Sequence, residues 1–568
     1  GLNVLAAWRA WKMTRSPHAV LHISTIEAFP LARADAARAL AQFPEAADLA
    51  EALLARFPVR AHAPQRLWFE EDGFCLTVHT GEAESILAEM ADDRFDAWFL
   101  DGFAPARNPD MWSPELLCHI ARLSAPGARL ATFTVAGAVR RGLEAAGFTV
   151  EKKPGFGGKR ERLEARLKDR GSSDPHPGFN EAKAGLKTRA PLYPYAPCFP
   201  RRVAILGAGI AGAACAHALS QRGVETVVLE AARELGAGAS GNPAGLVMPR
   251  LDRGGALAPF HLAAYLHAVA AYEALGVFEA CGVEQRATAR DAAALADLAS
   301  DPPLPPDWFS ALSEAAVLHP RAGLVRPLHA IAAMLRGASL LCESPVRQLE
   351  RAGDGWVLRA PDGRALMKAD AVVLACGAGL TQFEPARFLP IALSRGQIEW
   401  GRGPAPAHAI ASGSYVAPFD GGVLFGATFD KTGEVDIEDA RLRNLAALAR
   451  LAPEIAAGVV GDTLHARVEQ RATTPDRAPI AGLLPDAEAW LAQYAALAHG
   501  GRPRAGAVPP AHAGVYVIGG LGARGFTWAP LLGEIVAGEM FAEPALLPRA
   551  ARDALHPARF LHRRLKGR

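Results

Sequence analysis

Residues 203–230 read VAILGAGIAGAACAHALSQRGVETVVLE. An apolar run enters a glycine cluster, a small-residue helix follows, and a second apolar run ends on Glu230. This is the pattern of a strand–turn–helix–strand unit that binds a dinucleotide. Gly207 permits the tight turn, Gly209 lets the backbone approach a pyrophosphate, and Gly212 allows the helix to pack closely on the strand. The helix N-terminus turns free N–H groups and its positive dipole end toward the phosphates. Glu230 ends the second strand, where a carboxylate accepts from ribose hydroxyls. The unit starts some two hundred residues into the chain, so a separate segment precedes it.

The chain has 568 residues, enough for two or three domains. Net charge is +2, so no overall field calls for a nucleic-acid partner, although local basic patches remain open. The seven cysteines are scattered, with no CxxC pair and no His/Cys cluster. That predicts reduced thiols in a cytoplasmic protein, without a disulfide framework or metal site. No apolar stretch is long enough to span a bilayer and no signal peptide is read, so no membrane partner is expected.

Residues 1–167 alternate helical and strand patterns and predict an α/β domain with a mainly parallel sheet. Residues 168–200 are rich in Pro, Gly and charge and read as a linker. A second α/β domain is expected over 201–550, with a substrate-binding part near 256–325 and 390–470. Residues 551–568 form a basic tail, expected to fray.

Glycines alone do not choose between FAD and NAD. Three distant segments do so by resemblance: GASGNPAG (238–245), ADAVVLACGAG (369–379) and VYVIGGLGARGFTWAP (515–530). In this order they resemble the D-amino-acid oxidase-like flavoproteins. The resemblance implies FAD, and it places Gly520, Gly525, Phe526 and Thr527 at a helix N-terminus facing the flavin. RATTPDRAPIAG (471–482) resembles the same group's arginine motif, which implies that Arg471 binds a substrate carboxylate; a guanidinium fork suits that geometry. SRGQIEW (394–400) also fits, with Arg395 read as structural. Such a site oxidises a C–N bond beside a carboxylate.

In the first half, DAWFLDGFAPARNPDMWSPELL (96–117), GLNVLAAW (1–8) and PGFGGKRERL (154–163) resemble the methyltransferase part of the MnmC family. That family joins a Rossmann-like class I methyltransferase domain to a D-amino-acid oxidase-like FAD domain in this order, and the resemblance covers nearly the whole chain. It implies two steps on a tRNA wobble uridine in the anticodon loop. The FAD domain removes the carboxymethyl group from 5-carboxymethylaminomethyl-uridine, with or without 2-thiolation. The first domain then methylates the exposed amine from S-adenosylmethionine. Asp101, ending a strand, is the expected group that orients or deprotonates the amine. Glu27, at another strand end, is expected on the cofactor's ribose.

The family's glycine loop ends G-T-G-L-N. Only Gly1, Leu2 and Asn3 of it are present, so a strand and the rest of that loop are expected to precede them. Gly1 and Asn3 are the remaining loop contacts to S-adenosylmethionine. Phe103, Pro105 and Trp112 fit either a uridine pocket or loop packing. Lys159, Arg160 and Arg162 fit either tRNA phosphates or a solvated face. The oxidase motifs by themselves fit a second reading, a free amino-acid oxidase of glycine or sarcosine type with an inactive first domain. A third is a non-catalytic flavoprotein scaffold on tRNA.

Overall fold

The computed structural model describes residues 1–90, 94–155, 158, 160–168, 192–431, 436–504 and 507–567. Most of the expected linker therefore lies outside the described residues. The first part runs α1 (Leu2–Thr14), β1 (Leu21–Glu27), α2 (Arg33–Leu40), α3 (Ala47–Ala55), β2 (Gln65–Phe69), β3 (Phe74–Thr80), α4 (Ala83–Glu89), β4 (Phe95–Leu100), α5 (Pro114–Leu123), β5 (Ser124–Thr132), α6 (Gly137–Ala145), β6 (Phe148–Pro154) and β7 (Glu161–Leu167). Helix α1 is held by Trp8, whose ring sits 4.4 Å from Phe69 and 4.6 Å from Phe74. Its indole N–H donates to Asp72 at 2.9 Å.

The expected single, mainly parallel sheet is instead two short sheets. One has the order β1-β3-β2 and the other β4-β5-β7-β6. Only β1·β3 and β4·β5 pair in parallel. The short connections from β2 to β3 and from β6 to β7 leave no length for a crossover, so those pairs are antiparallel hairpins.

The second part opens with β8 (Arg202–Leu206), α7 (Ile210–Ser220) and β9 (Glu225–Leu229). Both strands are buried except at their first residue, and apolar there apart from Thr226, as expected for a parallel sheet covered on two faces. They lie in a six-stranded sheet with strands 339–341, 371–374, 511–519 and 480–485. The helix Gly525–Met540 crosses α7 so closely that a Cβ on Gly533 would lie 2.6 Å from the Ala214 carbonyl. The small side chains of α7 make that approach possible. An eight-stranded sheet packs beside this layer and includes the strands Ala392–Gly401 and His465–Thr473, paired antiparallel.

The two parts meet in a buried ion-pair cluster. Arg66 of β2 and Arg222, just past α7, both pair with Glu534 and Glu543, and all four side chains are almost fully buried. The Trp68 indole donates to Glu534 at 3.0 Å, and the Arg222 guanidinium lies 4.6 Å from the Trp68 ring centre. His22 of β1 faces the same cluster, and burial pushes its pKa down to about 4.

The C-terminal residues do not fray. Helices Arg549–Leu555 and Arg559–Leu565 pack against the domain through buried Leu555, Phe560 and Leu561. Arg559, 3% exposed, and Arg563 both pair with Asp476. Burial opposes ionisation of Asp476, but hydrogen bonds and charge from Arg559 outweigh it and hold the carboxyl well below its usual range. The run expected to be a loose basic tail is anchored because its apolar residues bury themselves in the domain's clusters and two of its arginines pair with the half-buried Asp476.

Glu539 lies on the same packed side and accepts from the Leu483 N–H at 3.3 Å. Burial pushes its carboxyl up from the ordinary 4.5 to about 7. The folded state then holds a proton that the unfolded chain releases. This contribution is complete below the ordinary value and is lost as pH rises through about 7. Glu539→Gln therefore raises thermal stability at pH 8, by on the order of 3 kcal/mol for a shift of this size. The gain shrinks toward zero at pH 4.5. Melting curves of both proteins across that range check it.

Candidate functional site

One cavity of about 990 Å³ runs through the second part. Its walls carry Gly207, Gly209, Glu230, the 236–245 loop, the 375–379 turn and the start of the Gly525–Met540 helix at one end. Arg395, Tyr415, Phe429 and Arg471 line the other. The sequence motifs scattered over three hundred residues thus border one space.

The glycine turn is built for a dinucleotide. Gly207 has φ +108°, and a Cβ there would lie 2.7 Å from the Ala375 carbonyl oxygen. A Cβ on Gly212 would collide with the Gly207 carbonyl, so this residue is what seats α7 on β8. Gly209 caps α7 and faces the cavity. Glu230 ends β9 with its carboxylate accepting from the Ala208 N–H at 2.7 Å and the Ala232 N–H at 2.9 Å. That clamps the turn and leaves the acid at the cavity wall, where ribose hydroxyls are expected. Gly520, Gly525, Phe526 and Thr527 all line the cavity. The Gly525–Met540 helix starts there, so its N–H groups and dipole point into the space. These residues fit FAD: the cradle has no room for side chains, and the helix end favours negative charge on the ring.

Arg471 is 9% exposed and sits in the strand His465–Thr473. It donates to the Thr428 carbonyl at 3.1 Å, and its guanidinium lies 4.5 Å from the Phe429 ring centre. No acid pairs with it among the described residues. Burial lowers its pKa, and the nearby Tyr415 opposes that shift. A desolvated guanidinium without a carboxylate of its own is a ready carboxylate receptor. Gly396 explains the neighbouring RGQ run: a Cβ at that position would occupy the place of the Arg471 guanidinium.

Two substitutions separate these roles. Gly212→Ala must displace the turn, and it is expected to weaken FAD retention about tenfold or more. Gly396→Ala leaves FAD in place but pushes Arg471 aside, raising the substrate KM. Flavin absorbance and steady-state kinetics distinguish the two.

Nothing in the sequence marks Tyr415. It is half-buried in the cavity wall and desolvation pushes its hydroxyl up to about 12, so it stays protonated and can donate. The surrounding SYVAPF strand carries only β-type alternation, which does not distinguish a site tyrosine from a core one. Arg395, expected to be structural, does pair through its backbone with Asp430, yet it also lines the cavity.

In the first part, Asn3 and Asp101 come together, with the Asn3 amide donating to the Asp101 carboxylate at 2.7 Å. Gly1 caps α1, so Asn3 lies in that helix's first turn. Glu27 is exposed at the end of β1, and Asp101 is exposed directly after β4. Both acids sit beyond the carboxyl ends of parallel-paired strands, where α/β sheets bind ligands. These acceptors suit the donating hydroxyls and amino group of S-adenosylmethionine. Phe103 is 70% exposed, whereas Trp112 is 9% exposed and donates to the Phe103 carbonyl at 2.9 Å, which fixes the loop.

Lys159 lies outside the described residues. Arg160 is exposed. Arg162 is paired with Glu164 and donates to the Pro154 carbonyl. No group of residues able to hold a metal ion occurs among the described residues, and no described helix is long and apolar enough to cross a membrane.

Comparison with known proteins agrees with this layout. Residues 44–168 match the model of an S-adenosyl-L-methionine-dependent methyltransferase family, and residues 202–539 that of an FAD dependent oxidoreductase family. The chain is 40% identical to the tRNA 5-methylaminomethyl-2-thiouridine biosynthesis bifunctional protein MnmC of Maricaulis maris (strain MCS10), over 99% of this chain and 86% of that one. The proteins of the same name from Caulobacter sp. (strain K31) and Pseudomonas paraeruginosa (strain DSM 24068 / PA7) are 39% and 37% identical. They align over 99% and 100% of this chain and over 88% and 89% of their own lengths. A methyltransferase part joined to an FAD-dependent oxidoreductase part, with this extent of identity to three such proteins, makes the chain a member of the MnmC family of bifunctional enzymes.

Proposed function

We propose that this chain carries out two successive steps of wobble-uridine modification in the anticodon loop of tRNA, in the cytoplasm. It removes the carboxymethyl group from 5-carboxymethylaminomethyl-uridine or its 2-thio form. It then methylates the resulting 5-aminomethyl group. The observation that carries the first step is the single cavity joining the dinucleotide cradle to the acid-free Arg471.

Arg471 grips the carboxylate of the glycine-like side group, and the Tyr415 hydroxyl, on the same wall of the cavity, donates to it. That grip fixes the carbon between carboxylate and nitrogen. FAD, which the glycine cradle and the start of the Gly525–Met540 helix would hold, would supply the two-electron oxidant for that carbon. The amine must be neutral so that its lone pair assists, and the Arg471 charge beside it favours the neutral form. Water then cleaves the C=N bond, releasing an oxo acid and leaving the amine on the nucleoside.

In the second step S-adenosylmethionine supplies the methyl group. Glu27 holds its ribose, and Gly1 and Asn3 border its amino-acid end. Asp101, oriented by Asn3, positions the primary amine and takes its proton. The functional units are 1–167 for methyl transfer and 201–550 for oxidation. Residues 168–200 connect them, segments near 256–325 and 390–470 shape the substrate side, and 551–568 form the basic end.

Anaerobic mixing of the FAD-loaded protein with tRNA carrying the carboxymethylaminomethyl group tests this reading. Rapid bleaching of the flavin absorbance is expected. Bleaching at the same rate by free glycine or sarcosine would instead support the amino-acid oxidase reading.

A further inference from the structure

We infer that the docked C-terminal end of the chain, together with two neighbouring loops, is the surface that holds the RNA phosphate backbone. The inference rests on the proposed tRNA substrate and says where on the molecule that substrate is gripped.

The sequence directs attention to the 148–167 hairpin, which is rich in lysine and arginine. Three of its six lysines and arginines are countered within the hairpin itself. Lys152 pairs with Glu161, Lys153 with Glu151 and Arg162 with Glu164. These are all the acids in that stretch. An arm half of whose cations already face its own carboxylates releases fewer counterions on meeting RNA than its count of basic residues suggests.

The C-terminal end differs. Residues 549–567 hold six lysines and arginines and one acid, Asp553, which is engaged by the Tyr195 hydroxyl. The helix Arg559–Leu565 is not a loose tail. Arg559 and Arg563 clasp Asp476, in the loop that follows the Arg471 strand. Leu561 and Leu565 of the helix share one apolar cluster with Trp490, Tyr494, Leu497 and Phe388.

That cluster gathers three basic segments around it. Arg564 and Lys566 flank Leu565 and are exposed. Arg387 precedes Phe388 and is exposed. Arg502 and Arg504 follow the short helix Ala495–His499, which packs on the C-terminal helix, and both are exposed. No acid pairs with any of these five among the described residues.

The placement also ties the surface to the cavity. Gln382 and Phe383 line the cavity, and Arg387 comes one helical turn later. Asp476, the anchor of the helix, lies five residues beyond Arg471. Five exposed cations without an acid partner among the described residues, three of them next to or within packed helical segments, suit the repeated phosphates of a nucleic acid. Long cationic side chains on a fixed frame lose less freedom on binding than the same charges on a frayed tail.

The test is tRNA binding by the full-length, FAD-loaded protein at several salt concentrations, read by fluorescence anisotropy. The variant R502A/R504A/R564A/K566A is compared with R160A/R162A and with the charge-preserving R502K/R504K/R564K. Removing one cation that touches a phosphate lowers the salt slope by roughly one. The four-fold alanine variant is expected to lower the slope by about two or more and weaken binding at least about tenfold near physiological salt. The lysine variant is expected to keep wild-type behaviour, and R160A/R162A to change the slope little. Unchanged flavin absorbance shows that each variant is folded. An unchanged slope in the four-fold variant, with wild-type protein still binding and modifying tRNA, would overturn this inference alone. A slope abolished in R160A/R162A and kept in the C-terminal variant would overturn it in favour of the hairpin. A wild-type protein that binds no tRNA would overturn both this inference and the proposed function.

Discussion

Arg471→Ala is expected to retain FAD and to lose carbon–nitrogen oxidation almost entirely. The guanidinium is 9% exposed and has no acid partner among the described residues, so the substrate carboxylate is its natural counter-ion. Truncating one member of a buried charge pair costs about 2–5 kcal/mol, much of it from the charge left unpaired. At roughly 1.4 kcal/mol per tenfold, kcat/KM falls by about thirtyfold to several-thousandfold. Arg471→Lys keeps the charge but loses the planar fork, and it recovers only part of the activity. Methyl transfer to tRNA already carrying the aminomethyl group is unaffected. Stopped-flow flavin reduction and a methylation assay on the two tRNA forms check both halves of the statement. A variant that reduces flavin at the wild-type rate contradicts the assignment of Arg471.

The second large effect concerns stability. Glu534 lies on the Gly525–Met540 helix, nine residues from the end that faces the cavity, and it accepts from Arg66, Arg222 and Trp68. Burial opposes its ionisation, but Arg222 and Arg66 outweigh that and keep it charged. Glu534→Ala leaves two guanidiniums buried with Glu543 as their remaining acid in the cluster. Breaking such a cluster costs about 3–5 kcal/mol. The expected result is a large loss of thermal stability and a loosened interface between the two parts, because Arg66 and Trp68 come from β2 of the first. The combined change Arg66→Met, Arg222→Met and Glu534→Leu removes the charges together and is expected to recover much of the loss. Calorimetry and limited proteolysis read the outcome. A Glu534→Ala protein that melts like wild type would show that the cluster does not hold the parts together.

The contrast between these residues shows what a sequence can reveal. Gly207, Gly209, Gly212 and Glu230 are legible because a phosphate-binding turn is local: strand, glycines, helix and acid follow at fixed spacing. Arg471 is legible only through resemblance, since nothing in its own neighbourhood signals a carboxylate receptor. Its dependence on Gly396 is invisible until the strands Ala392–Gly401 and His465–Thr473 pair and bring residue 396 beneath the guanidinium. Arg66 and Glu534 are 468 residues apart, and no periodicity connects them.

The basic end is hard to read for a related reason. A run of arginines looks solvated until Asp476 is placed beside it. In the first part, alternating helix and strand patterns identify α/β structure, whereas the division into two short sheets depends on which edges meet. Periodicity along one strand does not encode that.

Nucleoside mass spectrometry on tRNA carrying 5-carboxymethylaminomethyl-uridine tests the bifunctional assignment most directly. The tRNA is treated with the FAD-loaded protein, with and without S-adenosylmethionine. The expected products are 5-aminomethyl-uridine without the methyl donor and 5-methylaminomethyl-uridine with it. Unchanged tRNA in both reactions, from a protein that oxidises free glycine, would contradict the assignment.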